Sequence, residues 1–506
     1  MTDINKAIKP VESLTITPLN EGSQLKANNY IQLKIGASDL NMWLVNNSYL
    51  KFDLYAWRKA YKLQTAAVKK SINDKAWLTT DTDTKVNKTY IRNANNIFRS
   101  IEILYGGDTI YNQPYNIEQN VIKQLYYGES YMEANYATFT TSKMIKEGID
   151  YLGLSNGEFA NFTDASDVVS GVDDANVGKD ETAQIIKDIM IPVNQLMPIF
   201  SDCTSDGFPV KNLKSQIEIR LYIAEPYRYL VDYDDKINDF TDDLKVKEGA
   251  AKAEFNGVTI RDRFGSDRIE LKNVKMYCSH YIANQSESAV IDDKINNSGL
   301  KLRYQMVHSS LRQMNKINMG NNNLPFTNST ENVKSIMLYC HKQDISPTIM
   351  YRPYINSLYI KFGSNQLPFQ PIAGDSMSTP HEFKFTSDDV LNNIDTYFSE
   401  TNDDFNKCYR YTTAPSQSKA ASDVTKKTYQ NQRTPLSVPE STFVMMGANY
   451  VNSPGDLGSN SSRWNSQYQA SFMGNIEDDT KLTYVLAITT DYGLILKDGD
   501  IKTINL

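Results

Sequence analysis

The sequence predicts an all-β protein made of two similar halves, each a β-sandwich or a jelly roll. Three observations support this fold class. The chain contains 32 Tyr and 19 Phe, and such aromatic residues fit the half-buried, pleated surface of a sheet. Many short segments alternate apolar and polar residues, as strands with one wet face do. One hairpin-like segment also occurs twice, once in each half of the chain.

Two segments in the first half show the strand pattern most clearly. The stretch SYLKFDLYAW spans Ser48–Trp57, and SQIEIRLYIAEP spans Ser215–Pro226. Successive side chains of a strand point to opposite faces of the sheet, so the second segment predicts one buried and one wet face. The buried face consists of Ile217, Ile219, Leu221 and Ile223, and the wet face of Glu218, Arg220 and Tyr222.

Further strands are predicted in the second half, whereas helices are few. The strands are Asp267–Asn284, Leu300–Leu311, Ser335–Asp344 and Lys481–Ile504. In the last of these, the sequences DYG and KDGD each predict a turn between paired strands, and the first turn is expected to interrupt the strand at Asp491. One helix is predicted from an N-cap at Asn116 to a closing Gly128, and another over SDDVLNNIDTYF from an N-cap at Ser387.

The repeated segment is SIEILYGGDTIYNQP at Ser100–Pro114 and SLYIKFGSNQLPFQP at Ser357–Pro371. The two align without a gap at a separation of 257 residues, which is 357 minus 100. Each copy predicts a strand, a glycine turn and a returning strand. The proline is expected to end the pair because it donates no ladder hydrogen bond. The predicted packing residues of the two copies are Ile103, Tyr105, Ile360 and Phe362.

A helix, a long polar loop and further strands follow each copy in the same order. Two halves with one order of elements predict two domains built from many short strands, which are sandwiches or jelly rolls. The predicted organisation is an N-terminal arm at residues 1–28, a first β-domain at 29–231, a linker at 232–264 and a second β-domain at 265–506.

Composition and charge argue against several classes of protein. The net charge of −7 and the absence of a basic arm give no expectation of direct nucleic-acid binding. The first residues lack the apolar core of a signal peptide, and no segment reaches the ~18 apolar residues of a membrane span. The four cysteines are widely scattered, which predicts reduced thiols in a protein made in a cytoplasm.

Two motifs imitate catalytic or phosphate-binding loops, and both are predicted to be ordinary loops. Gly153–Gly157 reads G-x-S-x-G, but a nucleophile elbow needs a buried strand before it and a helix after it, and polar sequence follows here. Gly171–Glu181 has six residues between its glycines rather than the four of a phosphate loop, and Asp180 follows its lysine where Ser or Thr is required. No catalytic, cofactor-binding or metal-binding residue is therefore predicted.

Cysteine, histidine and aspartate clusters are the candidate metal sites of the sequence. Cys278 with His280, and Cys340 with His341, lack the second paired cluster of a structural zinc site, so semi-buried strand cysteines are expected. Carboxylates in predicted loops are expected to be solvated charge, with a Ca²⁺ site between subunits as the alternative. These carboxylates are Asp81, Asp83, Asp232, Asp234 and Asp235.

Taken together, the order of segments resembles the double jelly-roll major capsid proteins of icosahedral double-stranded DNA viruses, in the virophage, polinton-like and adenovirus-like lineage. The segments that carry the resemblance are NSYLKFDL, NNIFRSIEILYGGDTIYNQPYN, IMIPVNQLMPIF, LKSQIEIRLYIA and NSLYIKFGSNQLPFQPI. The resemblance implies two consecutive eight-stranded antiparallel jelly rolls with a few short helices and long loops.

The same resemblance implies a structural role in a virion. Three chains would form a pseudo-hexagonal capsomer that contacts neighbouring capsomers, penton proteins and minor capsid proteins, with or without an internal membrane. Two alternatives stay open. One is a virus-assembly scaffold of the same fold, and the other is a carbohydrate-binding or carbohydrate-cleaving β-sandwich. The second would need paired acids on facing strands, for which Glu218 and Glu270 are the candidates.

Overall fold

The structure is a computed structural model of the 506-residue chain. It describes residues 11–37, 39–56, 88–125, 129–154, 184–200, 207–234, 239–241, 260–264, 266, 268–314, 320–326, 333–343, 346–349, 355–362, 365–372, 409–411, 439–441, 443–447, 468–474 and 482–505. The chain divides into two compact units. The first runs to Tyr304, without Glu118–Tyr131, and includes Tyr492–Ile504, and the second contains Gln305–Asp491 with Glu118–Tyr131.

Fifteen strands precede residue 300 in the described part of the chain. In order they are β1 (Val11–Ile16), β2 (Leu25–Lys26), β3 (Tyr30–Ile35), β4 (Met42–Trp43), β5 (Tyr49–Ala56), β6 (Lys88–Ile91), β7 (Phe98–Tyr105), β8 (Asp108–Gln113), β9 (Gly153–Leu154), β10 (Gln184–Pro192), β11 (Phe208–Pro209), β12 (Ile217–Ile223), β13 (Leu230–Asp234), β14 (Asp239–Thr241) and β15 (Ile269–Tyr281).

Eight of these strands form the two sheets of a jelly roll. The first sheet has the order β1-β15-β5-β10; the short strands β2 and β4 also pair with β15, and β11 pairs with β4. The second sheet has the order β3-β12-β7-β8. Every pairing in these two sheets is antiparallel. Among the eight main strands, successive strands alternate between the two sheets, except for the hairpin of β7 and β8, as in a Greek-key barrel.

The alternating pattern of β12 explains how the second sheet faces the core. Ile217, Ile219, Leu221 and Ile223 are buried, and the residues between them are partly exposed, as predicted. β5 does the same with Leu50, Phe52, Leu54 and Ala56. The rings of Phe52 and Phe98 meet across the two sheets at 5.9 Å. Full burial of each such side chain contributes about 1.5–3 kcal/mol.

A third, smaller sheet includes the start of the segment that was predicted to be a linker. Its order is β14-β13-β6-β9, so the start of the predicted 232–264 linker forms two paired strands. Asp232 was expected to be a solvated loop charge, but it is buried in β13 and accepts a hydrogen bond from Thr89 Oγ1 at 2.9 Å. The surrounding Tyr90, Tyr233 and Phe240 rings explain why a charged segment is ordered here.

The strand β15 changes the predicted domain boundaries. The second β-domain was predicted to begin at residue 265, but β15 pairs with β5 over Ile269–Tyr277 and with β1 over Met276–Tyr281. It is the last strand of the first roll, and the charged sequence before it imitated an interdomain linker. Part of the predicted N-terminal arm is likewise β1, which is the first strand of the same sheet.

Six α-helices lie in the described part of the chain: α1 (Asn116–Leu125), α2 (Glu129–Ala134), α3 (Ser142–Lys146), α4 (Val193–Leu196), α5 (Ile260–Arg263) and α6 (Gln285–Asn297). The predicted helix at Asn116 is confirmed, although Asn116 is its first residue and its amide donates to the Asn95 and Phe98 carbonyls. Gly128 and the predicted helix from Ser387 lie outside the described residues.

The helix α6 was not predicted. The sequence feature that marks its start is a capping box. Asn284 Oδ1 accepts a hydrogen bond from the Glu287 amide at 2.9 Å, and the Glu287 carboxylate accepts one from the Asn284 amide at 3.3 Å. Of its residues only Ile295 is fully buried, so the helix has almost no apolar periodicity to reveal it.

Eleven strands follow α6 in the described residues. They are β16 (Leu300–Met314), β17 (Gly320–Phe326), β18 (Val333–Lys342), β19 (Ile355–Phe362), β20 (Asn365–Ile372), β21 (Tyr409–Tyr411), β22 (Pro439–Ser441), β23 (Phe443–Gly447), β24 (Tyr468–Gly474), β25 (Leu482–Lys497) and β26 (Asp500–Asn505). The main sheets have the orders β16-β25-β18-β23 and β17-β24-β19-β20.

The two rolls share one strand order. When the eight main strands of each roll are numbered along the chain, both have sheets ordered 1-8-3-6 and 2-7-4-5. The predicted double jelly roll is therefore confirmed. The repeated segment is the hairpin of strands four and five in both rolls, which are β7–β8 and β19–β20.

Two details of the predicted turns differ. β25 runs without interruption through Asp491, where a turn was expected, so the DYG sequence lies within one long strand. The KDGD turn is real, because Asp498 and Gly499 have φ values of +50° and +77° between β25 and β26. β20 also continues past Pro371 to Ile372, which an edge strand of the described sheet tolerates because its outer N–H groups need no partner.

Candidate assembly surfaces

The tip of the first repeated hairpin is a contact point for a distant segment of the same compact unit. Gly106 and Gly107, with φ of +60° and +98°, form its two-residue turn. Tyr105, the last residue of β7, is buried. Its hydroxyl donates to the Gly499 carbonyl and accepts from the amides of Lys214 and Ser215 at 3.0 and 3.1 Å.

The β25–β26 turn fits closely against this tyrosine. The Gly499 carbonyl also accepts from the Lys214 amide at 3.1 Å. A Cβ on Gly499 would lie 2.8 Å from the Asn212 carbonyl oxygen and 2.9 Å from Lys214 Cγ. We call this contact of Tyr105, Lys214, Ser215 and Gly499 the tyrosine clamp. The sequence predicted Tyr105 as a packing residue, and it is also the polar centre of the clamp.

The solvent-exposed face of the second sheet carries a compact group of ion pairs. Arg220 lies 2.6 Å from Glu218 and 3.3 Å from Glu102, and Lys34 lies 3.5 Å from Glu218. The side chain of Tyr222 also donates to Glu102 at 3.3 Å. Burial opposes ionisation of Glu218, but hydrogen bonds and the charge of Arg220 prevail and lower its pKa. Two cations and two anions thus compensate each other on this face.

The outer face of the first sheet is organised by Asp53. One carboxylate oxygen accepts from the Asp188 amide at 2.9 Å, and the other accepts from the Asn273 side chain at 2.6 Å. Asp188 and Asn273 have φ of +60° and +55°, and each lies at a register shift of the strand beside β5. Asp53 therefore holds two β-bulges, one on each side of its strand.

Aromatic side chains accompany these polar groups. Tyr49 and Tyr277 stack at 5.0 Å on the same outer face. Tyr136 and Tyr151 meet edge to face at 5.4 Å and are 48% and 40% exposed. Ile185 on the edge strand β10 is 41% exposed. Tyr rings exposed beside ordered charges are the side chains that protein–protein interfaces favour.

Several candidate chemical residues lie in the described part of the chain. Cys278 is completely buried, and this burial, with a smaller effect of Asp39, raises the pKa of its thiol to about 12. His280 lies 3.5 Å from Glu12 across the β1–β15 pairing. Glu218 and Glu270 lie on the outer faces of the two sheets, in β12 and β15, so they point away from each other and do not form the acid pair of a glycosidase.

Other candidates are partly or wholly outside the described residues. The G-x-S-x-G motif begins in β9, but its serine is not described, and neither are Gly171–Glu181, Asp81 and Asp83. His341 is buried, whereas the side chain of Cys340 is not described. Within the described residues, no three His, Cys, Asp or Glu side chains are placed to hold a metal ion. None of the helices described there is long and apolar enough to span a membrane.

Comparison with known proteins finds likeness in structure only. No family model and no curated protein matches the sequence. Among solved structures, the mavirus major capsid protein has a TM-score of 0.51 at 13% identity, covering 100% of this chain and 93% of its own. A chain of the Sputnik virophage has a TM-score of 0.53 at 11% identity, with coverage of 100% and 90%. The chain thus has the fold of these virophage proteins over its whole length.

Proposed function

We propose that this protein is a major capsid protein that assembles as a trimer and tiles an icosahedral virus shell. The observation that carries the proposal is the presence of two jelly rolls with one strand order in a single chain. The likeness in fold to the mavirus major capsid protein supports it. Three such chains place six similar rolls around one axis, which gives a threefold object a nearly sixfold outline.

The mechanism of such a protein is geometric and involves no catalytic step. On the outer faces of the two sheets, polar side chains are held by specific partners: Arg220 pairs with Glu218, and Asp53 accepts a hydrogen bond from the Asp188 amide. A surface whose charges are already paired and oriented loses less side-chain entropy when another surface covers it. Exposed aromatic side chains such as Tyr136 and Tyr151 add apolar contact area. Interfaces of obligate oligomers bury about 2,000–5,000 Å².

The proposal extends to location and partners. The protein would reside in the virion, next to neighbouring capsomers and to the penton and minor capsid proteins that close the shell. Mass spectrometry of purified particles tests this placement. An abundant peptide signal from the chain is expected in mature particles, whereas a signal confined to immature particles would favour the assembly scaffold.

The oligomeric state gives the direct test. Three chains of 57.5 kDa predict a species of about 172 kDa in sedimentation velocity at micromolar concentration. The trimer should persist on dilution and at high salt, because an obligate interface is mainly apolar. A protein that sediments as a monomer under these conditions contradicts the proposal.

A further inference from the structure

Three strand segments of the first compact unit lie side by side next to the tyrosine clamp. They are the start of β16, the end of β25 and the strand β26. The rings of Tyr304 and Tyr492 stack at 5.8 Å, which places β16 against β25. The two-residue turn at Asp498 and Gly499 joins β25 to β26 and sets Lys497 opposite Asp500.

One face of this three-stranded patch is cationic. Leu302, Leu494, Leu496 and Ile501 are buried on the inner side. Alternating side chains point to opposite faces of a strand, so the residues between them form the outer side. Four of these are exposed cations, which we call the basic face: Lys301, Arg303, Lys497 and Lys502. Two described acids adjoin these cations: Asp500, which is paired with Lys214 at 3.4 Å, and the exposed Asp498 of the turn.

A segment of opposite charge occurs in the same sequence. Residues 155–183 connect β9 to β10 and contain seven acids and one lysine, a net charge of −6. This segment carries most of the net charge of −7 of the whole chain. Its charge complements the basic face, and oppositely charged surfaces attract each other over about one Debye length, ~10 Å at 0.1 M salt.

The geometry of β15 favours a partner segment from another chain. The segment 155–183 ends at Gln184, which pairs with Ala56, and Ala56 pairs with Ile269 at the beginning of β15. The basic face follows the other end of β15, at Tyr281, after the helix α6. β15 has 13 residues, which span about 40 Å at ~3.3 Å per residue. The acidic segment is therefore attached at the end of β15 away from the basic face. Its middle is ~14 residues from either attachment, so it could reach the basic face of its own chain only when almost fully extended at ~3.3 Å per residue.

We propose that the basic face binds the acidic segment 155–183 of a neighbouring copy in an adjacent capsomer. This inference rests on the proposed capsid function and gives it an inter-capsomer contact. The contact joins two different surfaces, so it repeats from copy to copy. Exposed ion pairs are individually weak and are screened by salt. Such a contact suits the association of preformed trimers better than the formation of the trimer itself.

Charge reversal tests the proposal. The variant Lys301→Glu/Lys502→Glu reverses half of the basic face. The control Lys187→Glu/Lys275→Glu makes the same change in net charge at exposed lysines of the first sheet. We expect all proteins to form trimers. At about 0.1 M salt, the basic-face variant should need an at least roughly tenfold higher concentration to associate beyond the trimer, and at about 1 M salt the difference should vanish.

A complementing variant identifies the partner. Asp173→Lys/Asp174→Lys reverses part of the acidic segment and should also weaken association. A mixture of the two reversed variants should associate better than either alone, because each supplies the surface that the other needs. Normal association of the basic-face variant overturns the inference. It is also overturned if association is restored only when one chain carries both sets of changes, and not when the two reversed variants are mixed. Trimers persist in both of these outcomes, whereas a monomeric wild-type protein would instead refute the proposed function.

Discussion

Replacing Tyr105 with phenylalanine removes the hydroxyl at the centre of the tyrosine clamp and leaves the ring in place. The Lys214 amide keeps its second acceptor, the Gly499 carbonyl at 3.1 Å. The Ser215 amide loses the partner that it has at 3.1 Å. The buried hydrogen bond from the hydroxyl to the Gly499 carbonyl is lost as well. Together these losses cost about 1–3 kcal/mol, so we expect the clamp to weaken by about 2 kcal/mol.

Hydrogen exchange measures this loss locally, which suits a chain with two compact units better than a global unfolding curve. A weakening of about 2 kcal/mol corresponds to exchange that is about 30-fold faster in peptides that contain Ser215 and in peptides that contain Gly499. Peptides of β5 should be unaffected. Exchange at Ser215 that stays within about twofold of the wild-type rate would refute the hydrogen-bond account.

Substitutions in the facing turn provide a matched pair. Gly499→Ala should lower the free energy of opening the clamp by about 3 kcal/mol or more, because φ is +77° and the new Cβ would meet the Asn212 carbonyl at 2.8 Å. Asp498→Gly should be neutral or stabilise by up to about 1 kcal/mol, because it relieves a positive φ of +50°. Equal effects of the two changes would show that the close fit at Gly499 is unimportant.

Three further predictions concern single side chains. The Cys278 thiol, with its pKa raised to about 12 by burial, should resist iodoacetamide at pH 8 in the folded protein and react after denaturation; rapid native labelling would contradict its placement. Burial lowers the pKa of His308 to about 4, so the unfolded chain binds more protons between pH 6.5 and 4. Stability should therefore fall across this window by up to about 3 kcal/mol, and His308→Gln should remove that dependence in acid-unfolding curves. Asp53→Ala should destabilise both bulges by about 1–2 kcal/mol and accelerate exchange at the Asp188 amide, whereas unchanged exchange there would argue against the bridging role.

The fold class could be predicted because several signals in the sequence agree. Period-two alternation identified β12 and β5, and the repeated hairpin identified the same two strands in each roll. The resemblance then supplied the number of strands. Alternation reports which face of a strand is buried, and hairpins report which strands are neighbours.

The boundaries between the rolls could not be predicted from these signals. β15 belongs to the first roll because of its pairing with β5 and β1, and long-range pairing leaves no local mark in the sequence. The linker helix α6 buries only Ile295 completely, so the capping box at Asn284 and Glu287 was its only clear signal. The tyrosine clamp joins residues nearly 400 positions apart, and no local pattern links Tyr105 to Gly499.

Electron micrographs of the purified protein test the central claim, that two like rolls in one chain build a nearly sixfold unit from three copies. Class averages should show a pseudo-hexagonal outline with six lobes, two from each chain, in particles of about 172 kDa, three times 57.5 kDa. Isolated two-lobed particles, or rings with a number of lobes other than six, would contradict it.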